Sequence, residues 1–212
     1  VIKGRQRYKC KDCGYHYTVV QKSGVKSGET RRLAFEMYLE GLGFRSAGRI
    51  LKISYGTVFQ RVKNWGKNTE LPGRNGGVSI VELDEMHTCA GKKKLRIWIW
   101  IAVDRYGKRY LSFVGGDRST KTELPLRDKI KELTVRYFAS DHWKSYEEFI
   151  PSDKHLQTKA ETFTVEGYNS RIRHYLAGFH RKTKCYSKAD CMIVLSLNLL
   201  MMKLNNETSI LI

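Results

Sequence analysis

The sequence predicts an α/β protein: a mixed sheet with helices fills the chain from residue 78 onward, preceded by two small basic modules. Three observations carry this. From Val78 onward, β-branched and aromatic runs alternate with segments of helical spacing. Over 29–70, apolar residues recur every three to four positions and no strand pattern appears. Residues 1–28 hold a Cys-x-x-Cys pair among basic and aromatic residues.

Composition bounds the function. The chain has 212 residues, 41% of them apolar, which is enough to bury a core and excludes global disorder. Lys and Arg number 39 against 21 Asp and Glu, a net charge of +18. Such a field concentrates polyanions, and nucleic acid is the expected partner, ahead of a ribosomal or membrane-surface role. The apolar runs are too short or too interrupted for a membrane span, and no signal peptide is seen. A cytoplasmic, nucleoid-associated location is therefore expected. Five cysteines in such a chain argue against a disulfide framework. Cys89, Cys185 and Cys191 sit in apolar patterns and read as small core residues.

The first module, 1–28, centres on Cys10-Lys-Asp-Cys13-Gly14. Two thiolates separated by two residues can reach one tetrahedral Zn²⁺, with the glycine turning the backbone behind it. This is one knuckle of a zinc ribbon, a partial site. Its partner pair is expected upstream of Val1, so Cys10 and Cys13 alone should bind Zn²⁺ weakly.

The second module, 29–70, reads as a helix-turn-helix. Leu33, Ala34, Met37 and Tyr38 share one face of a first helix, which Gly41 and Gly43 end. Ala47, Ile50 and Leu51 form the inner face of a second. Ser54 caps a third, whose Val58, Val62 and Trp65 face inward. The arrangement resembles the resolvase/invertase kind. Its outward residues Tyr55, Thr57, Gln60, Arg61 and Lys63 are the DNA-binding candidates, able to reach base edges and phosphates from a major groove. Residues 71–77, Leu-Pro-Gly-Arg-Asn-Gly-Gly, form a turn-rich linker.

In 78–212 the predicted strands are Val78–Leu83, Leu95–Val103 and Arg109–Val114, an antiparallel meander turning at Asp104–Gly107. Ile-Trp-Ile-Trp-Ile in the second is apolar on both faces and suits the centre of a covered sheet. A helix over Thr120–Leu133, capped by Thr120 or Thr122, leads to strand Val135–Ser140 and a short helix, His142–Phe149. Lys154–Gln157 is a fifth strand, and Thr164–Phe179 and Ser187–Asn205 are helices. A meander, then alternating helix and strand, then helices, resembles the order of a ribonuclease H-like fold.

Asp84 ends the first strand, Asp141 the fourth, and Glu166 lies near the start of a helix. A carboxylate at the end of an apolar strand is costly without a cation. Adjacent parallel strands ending in Asp bring those groups together, and a third carboxylate from a packed helix completes a site for Mg²⁺ or Mn²⁺. Two such ions roughly 3.5–4 Å apart activate a water or a 3′-hydroxyl for phosphodiester hydrolysis and transesterification. Along the last-but-one helix, Asn169, Ser170, Arg173 and His174 extend a polar stripe from Glu166. Arg173 suits a phosphate clamp on that stripe. Glu161 is the competing third acid and reads as a surface or capping residue. Asp104 and Asp117 read as turn or cap residues.

On these motifs, Leu-Asp84-Glu, Ser-Asp141-His-Trp-Lys-Ser-Tyr and Val-Glu166-Gly-Tyr-Asn-Ser, the chain resembles the insertion-sequence-one transposases of the DDE group. His142 stands where that family has Gly. The resemblance implies that Asp84, Asp141 and Glu166 are the catalytic metal ligands and Arg173 the family's basic residue after the Glu. It implies binding to terminal inverted repeats, cleavage at 3′ ends and joining to target DNA, as a homo-oligomer on DNA with no covalent protein–DNA intermediate. Two other readings compete: a structure-selective nuclease, and a truncated transposase acting as a DNA-binding regulator.

Overall fold

The computed structural model describes residues 6–18, 27–72, 76–91, 95–142, 144–148 and 150–207. Parts of the N-terminal segment (1–5 and 19–26), the middle of the linker (73–75) and Trp143 of the Asp141 motif lie outside the described residues.

A two-stranded hairpin, β1 (Tyr8–Lys9) and β2 (His16–Tyr17), carries the cysteine pair. Three helices follow: α1 (Gly28–Leu39), α2 (Phe44–Ile50) and α3 (Tyr55–Lys67). Ser27 caps α1 by accepting from the Thr30 N–H, and Ser54 caps α3 by accepting from the Thr57 N–H, as its position implied. The rest of the chain runs β3 (Gly76–Cys89), β4 (Arg96–Asp104), β5 (Arg109–Gly116), α4 (Thr120–Ile130), β6 (Leu133–Ser140), α5 (Lys144–Glu147), β7 (His155–Gln157), α6 (Phe163–Tyr175) and α7 (Asp190–Leu204).

The five long-range strands form one mixed sheet in the order β5-β4-β3-β6-β7. Short turns join β3, β4 and β5, so these pair antiparallel. The connections through α4 and α5 return the chain in the same direction, so β6 lies parallel to β3 and β7 parallel to β6. In β4, Ile99, Trp100, Ile101, Ala102 and Val103 are all fully buried, which the doubly apolar pattern required. Alternation along the strands sends Met86, Ile99 and Ile101 to one face, under α6 and α7, and Val81, Leu83 and Trp100 to the other, under α4 and Tyr146.

Several elements differ from the sequence reading. β3 begins at Gly76, inside the expected linker, and does not stop at Leu83: its pairing with β4 continues to Cys89 opposite Arg96. The acidic pair Asp84-Glu85 looks like a strand end in sequence, yet Met86 and Thr88 beyond it alternate inward and keep the strand going. Ile50 is exposed; α2 is short and buries Ala47 and Gly48 instead. Cys185 and Cys191 are exposed and Cys89 is half-buried, so none is a core residue: Met192, Ile193 and Leu197 take the inner face of α7. Neither Thr120 nor Thr122 is the α4 N-cap. Ser119 holds that position, and Asp117 accepts from its N–H and from the Thr122 hydroxyl.

The three N-terminal helices join the core of the sheet. Ala34, Phe35, Leu39, Val58 and Val62 belong to the same buried cluster as Ile193, Leu197 and Leu200 of α7. The Tyr38 hydroxyl meets the Ser196 hydroxyl at 2.7 Å. Where α3 crosses α7 there is no room for a side chain: a Cβ on Gly66 would lie 2.6 Å from Leu195 Cβ and 3.2 Å from its backbone. In an open helix, Gly→Ala stabilises by about 1 kcal/mol. Here overpacking against backbone outweighs that gain. Gly66→Ala is expected to lower stability by about 1–3 kcal/mol in urea denaturation; an unchanged or raised midpoint would mean that α3 does not sit on α7.

Candidate active site

The site forms where β3 outruns its parallel neighbour. The last registered pair of that ladder is Glu82 opposite Ala139, so Asp84 and Asp141 each lie two residues beyond it, at the same level. β6 has ended by then, which leaves this edge of β3 open. Asp84 is on the α6 face of the sheet and Glu85 on the other, and the longer Glu85 side chain comes round the open edge. Oxygens of Asp84, Glu85 and Asp141 lie within 4.8 Å of one another.

Glu82, on the same face as Asp84, sets where α6 lies. Its side chain has no exposed surface. One oxygen accepts the Val165 N–H in the first turn of α6 at 2.8 Å, a donor with no partner inside the helix. The other accepts from Arg105 Nε at 2.5 Å. Arg105 in turn donates to the Glu161 carboxylate at 2.7 Å and to the Glu161 carbonyl. Strand β3, the β4–β5 turn and the segment leading into α6 are thus clasped through one guanidinium.

Held there, α6 presents its polar stripe to the carboxylates. Asn169 is buried and donates to Asp84 Oδ2 at 2.6 Å, while its own Oδ1 is buried without a hydrogen-bond partner. Glu166 is exposed and lines the same cleft, of about 820 Å³, outside the tight group of three acids. Arg173, half-buried, forms the next part of that wall. Val165 and Ile172 are buried on the opposite side, as the helical spacing implied; the helix ends at Tyr175 and not at Phe179, and Leu176 and Phe179 are buried in the turn that follows it.

Glu85 is engaged from both sides: Arg118 pairs with Oε1, and the Tyr146 hydroxyl donates to Oε2 at 3.2 Å. The Arg118 guanidinium also lies 4.4 Å over the Trp98 ring. Among the described residues Asp84 makes no ion pair. Burial first, then the neighbouring charges of Glu85 and Asp141, push its carboxyl up from 3.8 to about 7. A crowded carboxylate group that resists ionisation, beside an unpartnered buried amide oxygen, has the chemistry of a site for a hard divalent cation. Asp84 and Asp141 would hold it, with Glu85 and Glu166 in reach of the same cleft.

Other sequence candidates are placed as follows. On α3, Tyr55 and Gln60 are exposed. Thr57 is occupied with the Ser54 cap, Lys63 lies over Phe59, and Arg61 donates to the Thr30 carbonyl at 3.4 Å. Cys10 and Cys13 flank a tight turn in which Gly14, at φ +71°, donates to the Cys10 carbonyl. The backbone N–H groups of Cys13 and Asp12 lower the Cys10 thiol from its usual value. Asp104 accepts the Gly107 N–H, a turn role. Glu161 belongs to the clasp. Glu82, Glu85, Arg105 and Arg118 were not singled out from the sequence, although strict alternation through Val-Glu-Leu-Asp does put Glu82 and Asp84 on one face.

Two outcomes are expected. Arg105→Met leaves the Glu82 charge buried and unpaired, which costs about 3–5 kcal/mol. Adding Glu82→Gln should recover most of this in a double-mutant cycle, and additive losses would show that the clasp does not couple them. Asp84 behaves oppositely to a salt-bridged acid. Its folded pKa exceeds the unfolded one, so stability falls as pH rises from about 4 to about 7 and stays low above. Without divalent ions, Asp84→Asn should therefore exceed wild type by about 2–4 kcal/mol at pH 8, the gap closing below pH 4. Mn²⁺ should raise the Tm of wild type and not of the variant. A gap that ignores pH, or a wild type indifferent to Mn²⁺, contradicts this account.

Known proteins resemble this chain. The chain is 32% identical over 110 residues to the insertion element iso-IS1n protein InsB of Shigella dysenteriae, which covers 52% of this chain and 84% of that protein. It is 26% identical over 131 residues to the insertion element IS1 4 protein InsB of Escherichia coli (strain K12), covering 62% and 78%. Among solved structures, a chain of the simian T-cell lymphotropic virus intasome in complex with PP2A regulatory subunit B56 gamma matches at a TM-score of 0.37 and 13% identity, over 78% of this chain and 64% of that one. The profile of the IS1 transposase family matches residues 78–195, from the start of the sheet into α7 and across every carboxylate of the cleft. The chain belongs to the IS1 transposase family.

Proposed function

We propose that this chain binds the terminal inverted repeats of an insertion element as double-stranded DNA, and cleaves and transfers DNA strands at a divalent-metal site held by Asp84, Asp141 and Glu166. The observation that carries the reading is the level pairing of Asp84 and Asp141 at the open edge of β3, with burial first, and then the charges of Glu85 and Asp141, opposing ionisation of Asp84. The strand order, with one antiparallel meander and two parallel strands added beside its first strand, supports a ribonuclease H-like architecture for 78–212. Mg²⁺ or Mn²⁺ bound there supplies Lewis-acid activation of a water or 3′-hydroxyl and stabilisation of the leaving oxygen.

The chain's own residues have separate tasks. Asp84 and Asp141 present oxygens from two strands whose register fixes their level. Asn169 holds Asp84 Oδ2 in place and keeps one orientation of that carboxylate. Glu166 reaches in from α6, whose position the Glu82 clasp sets. Arg173 meets the negative charge of a DNA phosphate at the rim. The helices of 29–70 support a helix-turn-helix role, with Tyr55 and Gln60 on the free face of α3, and Thr57, Arg61 and Lys63 beside them. The hairpin of 1–28 supports a partial zinc site at Cys10 and Cys13. Paired element ends imply a homo-oligomer on DNA, and the reading places the protein with the nucleoid in the cytoplasm. Among the described residues no helix is long and apolar enough to cross a membrane.

The test uses duplexes carrying the ends of the element that encodes the chain, with Mg²⁺ or Mn²⁺. Asp84→Asn, Asp141→Asn and Glu166→Gln should each lower cleavage and strand transfer by about a hundredfold or more, while gel-shift affinity for the ends stays within a few-fold. Glu161→Gln should retain most strand transfer, since it acts only through the placement of α6. Near-wild-type cleavage by any of the first three variants would overturn the assignment. Cleavage without strand transfer of a pre-cut 3′ end would favour a nuclease, and binding without metal-dependent cleavage a regulator.

A further inference from the structure

The cleft has a second wall, which the carboxylates do not explain. After α6 the chain turns through Ala177–Phe179 and runs back along the open edge of β3, past the level at which β6 stops. A side-chain hydrogen bond and a backbone bridge fix this return. The Thr88 hydroxyl donates to the Gly178 carbonyl at 3.0 Å, the Gly91 N–H donates to the Ser187 carbonyl at 2.7 Å, and Ala90 and Ser187 form an isolated parallel bridge. The N-terminal helices brace the loop from the other side. Gly41, at φ +87°, lies so close to α6 that a Cβ there would be 3.1 Å from the His174 carbonyl. A Cβ on Gly43 would lie 3.5 Å from the Cys185 sulphur. His180 Nε2 is hydrogen-bonded to the His174 carbonyl at 3.1 Å. This short, tethered loop aims Arg181 into the cleft that holds Asp84, Glu166 and Arg173.

We propose that Arg181 is a DNA-phosphate-binding residue, which with Arg173 holds the strand being processed. The inference rests on the function proposed above and names the residues that grip its substrate. Neither Arg173 nor Arg181 makes an ion pair among the described residues, although carboxylates line the same cleft. The two guanidinia lie close enough for Arg181 to help lower Arg173, after burial, against the opposing pull of Asp84. His87, nearby on β3, lies in the combined field of Arg96, Arg173, Arg118 and Arg181. A divalent ion held by the acids would neutralise the negative charge that offsets these cations. The mutual repulsion of Arg173 and Arg181 would then be left without that offset. A phosphodiester removes that repulsion and accepts bidentate hydrogen bonds from planar guanidinium groups. A loop tethered at both ends and braced by the N-terminal helices loses little entropy on doing so.

The test compares Arg181→Ala, Arg181→Lys and Lys184→Ala with wild type on duplexes that carry one uncharged methylphosphonate at successive positions around the cleavage site. Arg181→Ala should reduce strand transfer on unmodified DNA about tenfold or more, and weaken duplex binding about five-fold in fluorescence anisotropy with a salt slope smaller by about one. Arg181→Lys should recover part of the loss, and Lys184→Ala should stay near wild type. On at least one methylphosphonate duplex the penalty of Arg181→Ala should vanish, because the phosphate charge it meets is already gone. Mn²⁺ affinity, read by titration without DNA, should not move. The proposal is overturned if Arg181→Ala matches wild type on unmodified DNA, or if its penalty is the same on every modified duplex. Absence of cleavage by wild type would instead overturn the proposed function, and the anisotropy arm would still decide whether Arg181 grips a phosphate.

Discussion

A carboxylate with no exposed surface, such as Glu82, loses several kcal/mol of hydration unless protein groups replace the water. In this fold they come from two places. The N-terminus of α6 offers the Val165 N–H together with the positive end of the helix dipole, and the β4–β5 turn offers Arg105. Both are needed, because one carboxylate has two oxygens and each donor takes one. The helix therefore cannot slide along the sheet without stripping a partner from a buried charge. This fixes Glu166, Asn169 and Arg173, which sit one, four and eight residues after Val165, relative to Asp84, two residues after Glu82. The geometry of the cleft follows from a residue that does not line it.

Around that anchor the charges are arranged asymmetrically. Glu85 is matched by Arg118 and Tyr146, whereas among the described residues Asp84 has the neutral Asn169 amide as its side-chain hydrogen-bond partner and no ion pair. The two acids are adjacent in sequence and share an environment. Their difference comes from alternation, which turns one toward α6 and the other toward the Tyr146 side of the sheet. A site that neutralised both acids with arginine would be more stable and would have less attraction for a divalent ion. Leaving Asp84 uncompensated costs stability above neutral pH, and that same cost is what a bound cation relieves.

Much of this could be read from the sequence where a single local pattern decides the outcome. The Ile-Trp-Ile-Trp-Ile run of β4 is apolar on both faces, and only a covered central strand accommodates that. Ser54 before Val58 and Val62 gave the cap and inner face of α3 together. What failed depends on distant partners. Glu82 lies 23 residues from Arg105, and Arg105 lies 56 from Glu161, and no spacing rule connects a strand, a turn and a helix approach. Asp84-Glu85 looked like a strand end because polar pairs usually are one. β3 continues because β4 pairs with it as far as Cys89, while β6 does not. Ile50 reads as inward by helical period and Cys191 by its apolar neighbours, and both are exposed. In both helices neighbouring apolar residues fill the interior first.

The contacts of the N-terminal helices carry the argument one step further. A DNA-binding module is often joined by a linker that lets it move relative to the catalytic body. Here residues 71–77 look like such a linker in sequence, but α1 and α3 contribute Phe35, Leu39, Val58 and Val62 to the core that α7 also builds. Pulling them away would expose several large apolar side chains, each worth about 1.5–3 kcal/mol when buried. It would also free the Tyr38–Ser196 hydroxyl pair. The same helices approach α6 and the Arg181 loop through the α1–α2 turn, where Gly41 leaves no room for a side chain against the His174 carbonyl and Gly43 lies beside Cys185. The free face of α3 and the cleft at β3 are therefore set by one continuous packing arrangement. DNA held on the first would meet the second at a distance fixed by the fold rather than by the length of a tether.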